Sequence, residues 1–253
     1  MPIFIFTALL LVGLVMASIE LGRRIRARSG EQKTSSGLSV IDGAVFGLMG
    51  LLLAFSFSGA VARFDTRRDL IVQETNAIGT AWLRVDLLPA AAQDGIHDEF
   101  RSYVDARLAF YGDLVRDRAK AMQELTRSQD LQRKLWADSI VAAKKSDSPA
   151  ALPLVLGSLN EMFDITTTRY VALLTHPPLP IYITLVLLAL ASSVVAGFGM
   201  GDMGKRPWLH TIVYAAALTL TVYTIIDLEF PRIGIVRIDR YDQTLIDQRN
   251  SMN

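Results

Sequence analysis

Cysteine is absent from this chain of 253 residues, and its absence excludes several kinds of chemistry. Without thiols the protein has no disulfide framework, no thiolate metal site and no cysteine nucleophile. Redox chemistry on the protein itself is therefore excluded. The absence does not decide the compartment, because reducing and oxidising compartments both contain proteins without cysteine.

Groups that typically form catalytic sites are also scarce. The three histidines, His97, His176 and His210, are far apart and lack the spacing of metal ligands. No Gly-x-Ser-x-Gly nucleophile motif occurs. The run GMGDMG at 199–204 matches the dinucleotide pattern, but it follows an apolar helix instead of a strand. We therefore predict no catalytic residue, no cofactor site and no metal site, and an enzyme is the least favoured class.

The chain has no excess of charge of one sign. Its 26 Lys and Arg residues nearly balance 25 Asp and Glu residues, which leaves a net charge of +1. Because nucleic-acid-binding proteins carry a basic patch or stripe, this even distribution argues against a nucleic-acid partner.

Hydrophobic residues make up 51% of the chain, and they cluster in four runs at 3–19, 40–62, 179–201 and 209–226. Each run is close to the roughly 17 to 25 residues that a helix needs to cross a bilayer. The first run has no basic residue before it, so it predicts a retained transmembrane helix and not a signal peptide. The composition thus predicts an all-α, multi-pass membrane protein with the lipid bilayer as a partner.

Between the second and third runs the sequence is amphipathic, and its apolar residues recur at the spacing of an α-helix. One helix is predicted to continue from about residue 40 to residue 88, where Pro89 ends it. A second helical region covers 94–145, and a change of phase at 126–129 predicts a bend or break there. The predicted organisation is transmembrane helices 1 and 2 at 1–62, a soluble helical layer at 63–178, transmembrane helices 3 and 4 at 179–228, and a tail at 229–253.

One stripe of the second apolar helix carries the candidate functional residues. Gly47, Leu51, Phe55 and Gly59 recur every four residues, so they share one face. If several copies surround an axis, Leu51 and Phe55 form apolar rings that gate ion flow by dewetting. Three arginines follow this stripe and would form a positive pore mouth: Arg63, Arg67 and Arg68. A simpler interpretation is that the stripe packs against lipid or a neighbouring helix.

Residues 51–89, LLLAFSFSGAVARFDTRRDLIVQETNAIGTAWLRVDLLP, resemble the signature of a bacterial family of bestrophin-like membrane proteins. In the more distant bestrophin channels an Arg-Trp-Trp follows a Phe of the second helix by eight residues. Phe55 and Arg63 keep that interval, and Phe64 replaces the first Trp. The run DLEFPRIG at 227–234 is similar to the bestrophin segment Glu-x-Pro-x-Gly, which would correspond to Glu229, Pro231 and Gly234.

This resemblance implies four spans, a helical soluble layer and a homopentamer with the second helix lining the pore. Phe55 and Leu51 would form the neck, and Gly47 stands where the family has a bulky residue. The acidic run that binds calcium in eukaryotic members is not recognisable here. We therefore expect an oligomeric channel in a bacterial inner membrane that conducts small inorganic ions, preferring anions. The alternative is a non-conducting membrane scaffold or sensor.

Two arguments about orientation disagree. Four arginines after the first run, from Arg23 to Arg28, favour a cytoplasmic first loop. The resemblance instead implies that the helical layer is cytoplasmic. The side of the membrane that the layer occupies therefore stays open at this point.

Overall fold

The computed structural model describes residues 2–29, 36–202 and 207–252, and helices dominate it. Its α-helices run α1 Pro2–Ser29, α2 Ser36–Arg84, α3 Ala90–Asp113, α4 Arg118–Ala143, α5 Ala151–Leu174, α6 Leu179–Gly199, α7 Trp208–Glu229 and α8 Gln243–Asn250. Short 3-10 turns cover Val85–Leu87, Met200–Asp202 and Asp239–Asp242. No strand occurs in these described ranges, so the predicted all-α class is confirmed.

Four helical stretches are long and apolar enough to cross a membrane, and each overlaps one of the four predicted runs. They are Phe6–Ser29, Val40–Leu87, Ala151–Gly199 and Trp208–Glu229. The stretch Ala151–Gly199 includes α5 as well as α6, which are separated at 175–178. The chain divides into two compact units, each described separately below.

The first unit comprises the chain up to Phe64 and residues His176–Val236. Side chains of α1, α6 and α7, with Met49 and Ala60 of α2, form its apolar core, and the most buried include Val15, Ile19, Leu185, Ala189 and Val222. Glycines let α1 and α6 approach closely. A Cβ at Gly197 would lie 2.0 Å from the Ile19 carbonyl oxygen, and one at Gly22 would lie 2.0 Å from the Val194 carbonyl oxygen.

The second unit comprises Asp65–Thr175 and residues from Arg237 onward. Its core joins α2, α3, α4, α5 and α8 through buried side chains that include Ile78, Phe100, Tyr103, Leu135, Leu159 and Leu245. Complete burial of one such side chain contributes about 1.5–3 kcal/mol, so this amphipathic layer is held together mainly by packing.

The expected break in the second helical region is real, but its predicted position at 126–129 is wrong. The chain leaves the helix after Asp113, and α4 begins at Arg118. Asp117 precedes α4 in an extended conformation, and its carboxylate accepts a hydrogen bond from the Lys120 amide at 3.0 Å. The carboxylate therefore caps the new helix, which explains why the break lies there.

Candidate functional site

The predicted pore stripe of α2 is largely uncovered within the chain. Leu51 is 53% exposed and Phe55 is 68% exposed. A Cβ added at Gly47 would meet no atom within 4 Å. At Gly59 it would meet the guanidinium of Arg63 at 3.2 Å, so the Arg63 side chain lies back along the same helix.

The membrane part of α2 has fewer intrachain neighbours than the other candidate spans. Only 6% of its most apolar window is buried within the chain, compared with 22%, 28% and 33% for the other three. An apolar helix with so little intrachain burial must be covered by lipid, by other chains or by a pore lumen.

Arg63 joins the end of this stripe to the 227–234 motif. Its Nε donates a hydrogen bond to Oε1 of Glu229 at 2.7 Å, and the Glu229 side chain is completely buried. His176 Nδ1 lies 3.6 Å from Oε2, the other carboxylate oxygen of Glu229. The His176 ring also stacks on Phe230, with ring centroids 4.8 Å apart. Glu229 is therefore surrounded by polar and aromatic groups that fix its position.

Steric exclusion explains why the motif has a glycine at position 234. Asp227 is buried, and its two carboxylate oxygens accept hydrogen bonds from the amides of Ile235 at 2.8 Å and Val236 at 2.7 Å. A Cβ at Gly234 would lie 1.9 Å from Asp227 Oδ1. Only glycine therefore fits the turn, which also buries Pro231. Sequence reasoning matched Glu229, Pro231 and Gly234 but did not identify Asp227, although it stands first in the same motif.

The other two predicted mouth arginines, in the second unit, have different surroundings. Arg67 is buried, and it donates hydrogen bonds to the carbonyl oxygens of Ala172 at 3.1 Å and Thr175 at 2.7 Å. The side chain of Arg68 is 37% exposed and lies 3.3 Å from Asp65 and 3.2 Å from Asp69. Arg67 thus has a structural role in the layer, and Arg68 presents its charge at the surface.

A buried charge network, which sequence reasoning missed, lies in the second unit. Glu74 accepts hydrogen bonds from Arg107 at 2.7 Å and from Arg169 at 2.6 Å. Arg169 also bonds Asp242 at 2.8 Å, and Arg107 donates to the Tyr111 hydroxyl at 2.7 Å. Burial alone would raise the pKa of Glu74, but the two arginine charges outweigh burial and lower that pKa to about 2. The network links α2, α3, α5 and the turn before α8.

One sequence signal could have revealed this network. Arg107 follows Phe100 by seven residues and Tyr103 by four, so it lies on the apolar stripe of α3 and not on its polar face. A charged side chain on an apolar stripe needs a buried partner.

A metal site is not formed by the part of the chain that the structure describes. Within 2–29, 36–202 and 207–252, no three His, Asp or Glu side chains are grouped so that they could hold a metal ion. Part of the 199–204 glycine motif lies outside the described residues, from 203 onward.

Comparison with known families and structures gives one consistent match. A family model described as a Bestrophin-like domain matches residues 9–242. A bacterial bestrophin homologue from Klebsiella pneumoniae, solved by zinc phasing, is 17% identical with a TM-score of 0.68, and the match covers 97% of this chain and 98% of that one. A single-residue variant of the Klebsiella pneumoniae homologue is 16% identical with a TM-score of 0.71 and 98% coverage of both chains. No curated protein matches this chain.

Proposed function

This chain belongs to the Bestrophin-like family, and on that basis we propose that it is a passive ion channel whose pore is lined by α2. The fold is that of the bacterial bestrophin homologues, and the protein is a membrane protein of an ion-channel-like family. The proposal adds a homopentameric assembly in a bacterial inner membrane, small inorganic ions as the conducted species, and a preference for anions.

The sparse intrachain burial of the membrane part of α2 carries this proposal. A helix that packed mainly on its own chain would bury more than 6% of its apolar window. In a ring of copies around an axis, the face that carries Gly47, Leu51 and Phe55 would point to the lumen, and the flanking faces would contact neighbouring chains. Such an arrangement accounts for large exposed side chains at positions that repeat every four residues.

Leu51 and Phe55 would form two apolar rings in the neck of this pore. An apolar constriction resists hydration, so it holds back ions until it widens or becomes wet. Gly47, one helical turn away, would leave the lumen wider at its own level. The neck therefore has two narrow rings instead of three.

The preference for anions rests on positive charge beyond the neck. Arg63, Arg67 and Arg68 follow the apolar part of α2, and cationic side chains near a pore mouth raise the local concentration of anions. Because Arg67 is buried, its charge acts on the mouth only from a distance. Asp65 and Asp69 beside Arg68 offset two of these three positive charges. We therefore expect a moderate preference for anions and not exclusive anion conduction.

Purified protein in planar lipid bilayers tests the proposal. We expect a wild-type current and, for Phe55→Ala, a larger current, because the narrow ring loses its aromatic side chain. The matched control is Phe57→Ala, which removes the same ring from the same helix about 200° around its axis. If wild-type protein carries no current over a range of salts, the chain is a non-conducting scaffold or sensor.

A second variant should have the opposite effect. Because a Cβ at Gly47 meets no atom of the chain within 4 Å, Gly47→Leu should fold normally and narrow the lumen, which would lower the current. The control Gly13→Leu adds the same side chain at an equally open position on α1. Equal currents in wild type, Phe55→Ala and Gly47→Leu would show that this stripe faces lipid or a neighbouring helix.

A further inference from the structure

We propose that a pocket between α1 and α7 binds the phosphodiester headgroup of an anionic phospholipid. The pocket has a volume of about 230 Å³ and lies within the first unit. Helix α1 lines it with Met16, Ile19, Glu20, Arg23 and Arg24, and α7 contributes Trp208 and Thr211. None of these residues belongs to the proposed pore stripe.

The charge of the pocket is positive. Arg24 Nε donates to Glu20 Oε1 at 3.1 Å, and Arg23 Nη1 lies 3.6 Å from the other oxygen of the same carboxylate. Two guanidinium groups therefore share one carboxylate. Arg23 Nε is enclosed, and no acceptor for it occurs among the described residues. The Arg24 side chain is 67% exposed, so an anion in the pocket could reach its guanidinium and neutralise the remaining positive charge.

Along α1 the lining of the pocket changes from apolar to charged. A membrane changes in the same way from its hydrocarbon core to its headgroups. Met16 and Ile19 are apolar, and the arginines follow one to two turns later, toward the end of the helix at Ser29. Trp208 stands at the start of α7 and is 54% exposed. Tryptophan and arginine are typical of the depth where lipid headgroups lie. The arginines would therefore be at the headgroup level and the apolar residues beside the acyl chains.

A phosphodiester is the anion that fits these groups. The planar guanidinium fork matches the spacing of phosphate oxygens, and it forms charge-assisted hydrogen bonds with them. Basic pockets between transmembrane helices are a recurrent way to hold lipid headgroups. The apolar part of the lining favours a lipid over a free phosphate ion, because Met16 and the exposed Trp208 ring provide a surface only for a ligand that carries a hydrocarbon part.

Native mass spectrometry of the protein in a neutral detergent tests the inference, since it counts lipid molecules bound per chain. The probes are phosphatidylglycerol, phosphatidylcholine with the same acyl chains, and inorganic phosphate. We expect wild type to bind phosphatidylglycerol about tenfold more tightly than phosphatidylcholine, because each charge-assisted hydrogen bond is worth more than 1.4 kcal/mol. Inorganic phosphate at the same concentration should not displace the lipid.

Three variants separate a specific site from general attraction. Arg23→Gln with Arg24→Gln should reduce phosphatidylglycerol affinity about tenfold and leave phosphatidylcholine binding unchanged. The control is Arg28→Gln, which removes one arginine charge from the exposed end of α1 outside the pocket and should change affinity less than about twofold. Glu20→Gln frees both arginines and should tighten phosphatidylglycerol binding, a gain that misfolding cannot produce.

The inference fails on any of three results. Equal binding of the two lipids by wild type would show that the pocket does not distinguish an anionic headgroup from a zwitterionic one. An equal loss in Arg28→Gln would show general attraction to a basic helix end. Displacement of the lipid by an equal concentration of inorganic phosphate would assign the pocket to a soluble anion. These outcomes do not depend on whether the protein conducts ions.

Discussion

Arg63 on α2 donates a hydrogen bond from Nε to Oε1 of Glu229, the last residue of α7, at 2.7 Å. The two residues are 166 positions apart in the chain, and both belong to the first unit. The contact therefore fixes the helix that carries the proposed pore stripe against the motif that follows the last candidate span. It gives a physical reason why the Phe55–Arg63 interval and the 227–234 motif occur together in this chain.

The first prediction concerns this pair. Glu229 is completely buried, and removing its partner leaves an uncompensated buried charge, so Arg63→Gln should lower the free energy of unfolding by about 3 kcal/mol. The double variant Arg63→Gln with Glu229→Gln should lose less than the sum of the two single losses. Thermal unfolding in detergent measures both. The exposed ion pair of Arg133 with Asp130 is the control, and Arg133→Gln should cost less than about 1 kcal/mol.

The second prediction concerns Gly234. A Cβ there would overlap Asp227 Oδ1, so Gly234→Ala must move a carboxylate that holds two backbone amides. We expect a loss of about 3 kcal/mol, typical of a broken buried hydrogen-bond network. The control Gly95→Ala adds the same methyl group inside α3 where no atom lies within 4 Å, and it should be neutral or stabilising. A stable Gly234→Ala protein would show that the turn readily adopts another conformation.

The sequence predicts those features that depend on residues close together in the chain. Apolar runs of 17 residues or more are a strong local signal, and each of the four lies in a helix of the structure. The family motifs are local as well, which is why Glu229 and Gly234 could be named. The cap at Asp117 is also local, but this Asp is one of several acidic residues near that region, so the break was expected elsewhere.

Partners that are distant in sequence could not be predicted. Arg67 follows Arg63 by one helical turn, and spacing alone places both at a pore mouth. The structure instead gives Arg67 the carbonyl oxygens of Ala172 and Thr175, more than a hundred residues away. Glu74 bonds Arg107 and Arg169 across intervals of 33 and 95 residues. No periodic pattern in the sequence indicates which charges are paired.

The third prediction uses the lowered pKa of Glu74. This pKa is about 2 in the folded protein against an ordinary 4.5, so the stabilisation is complete above pH 4.5 and is lost as the pH falls toward 2. The difference of about 2.5 pKa units corresponds to about 3 kcal/mol, at 1.4 kcal/mol per unit. Arg107 and Arg169 stay protonated throughout this range and do not contribute to the change.

A comparison of wild type with Glu74→Gln separates the pH-dependent stabilisation by Glu74 from that of the other carboxylates. The stability difference between wild type and the variant should be largest near pH 7 and should shrink between pH 4.5 and pH 2. Chemical unfolding at a series of pH values measures it. A difference that does not change with pH would mean that Glu74 titrates normally in the folded protein.

The fourth prediction concerns the charge at the proposed pore mouth, where Arg68 is the informative residue. Arg67→Glu would remove two buried hydrogen bonds to backbone carbonyls, so any loss of current would be confounded with loss of folding. Arg68 is partly exposed, and its ion pairs with Asp65 and Asp69 contribute little to stability. Arg68→Glu should therefore fold and change the mouth by two charges in every copy.

In bilayers with a salt gradient, Arg68→Glu should move the reversal potential toward the equilibrium potential of the cation. We expect the anion-to-cation permeability ratio to fall about tenfold, because mouth charges set the local concentration of permeant ions. Arg127→Glu is the control, since it reverses an exposed charge on α4, outside the pore helix, and changes the net charge equally. If Arg127→Glu shifts the reversal potential as much as Arg68→Glu, the shift reflects net charge alone, and Arg68 does not lie at the mouth of a pore.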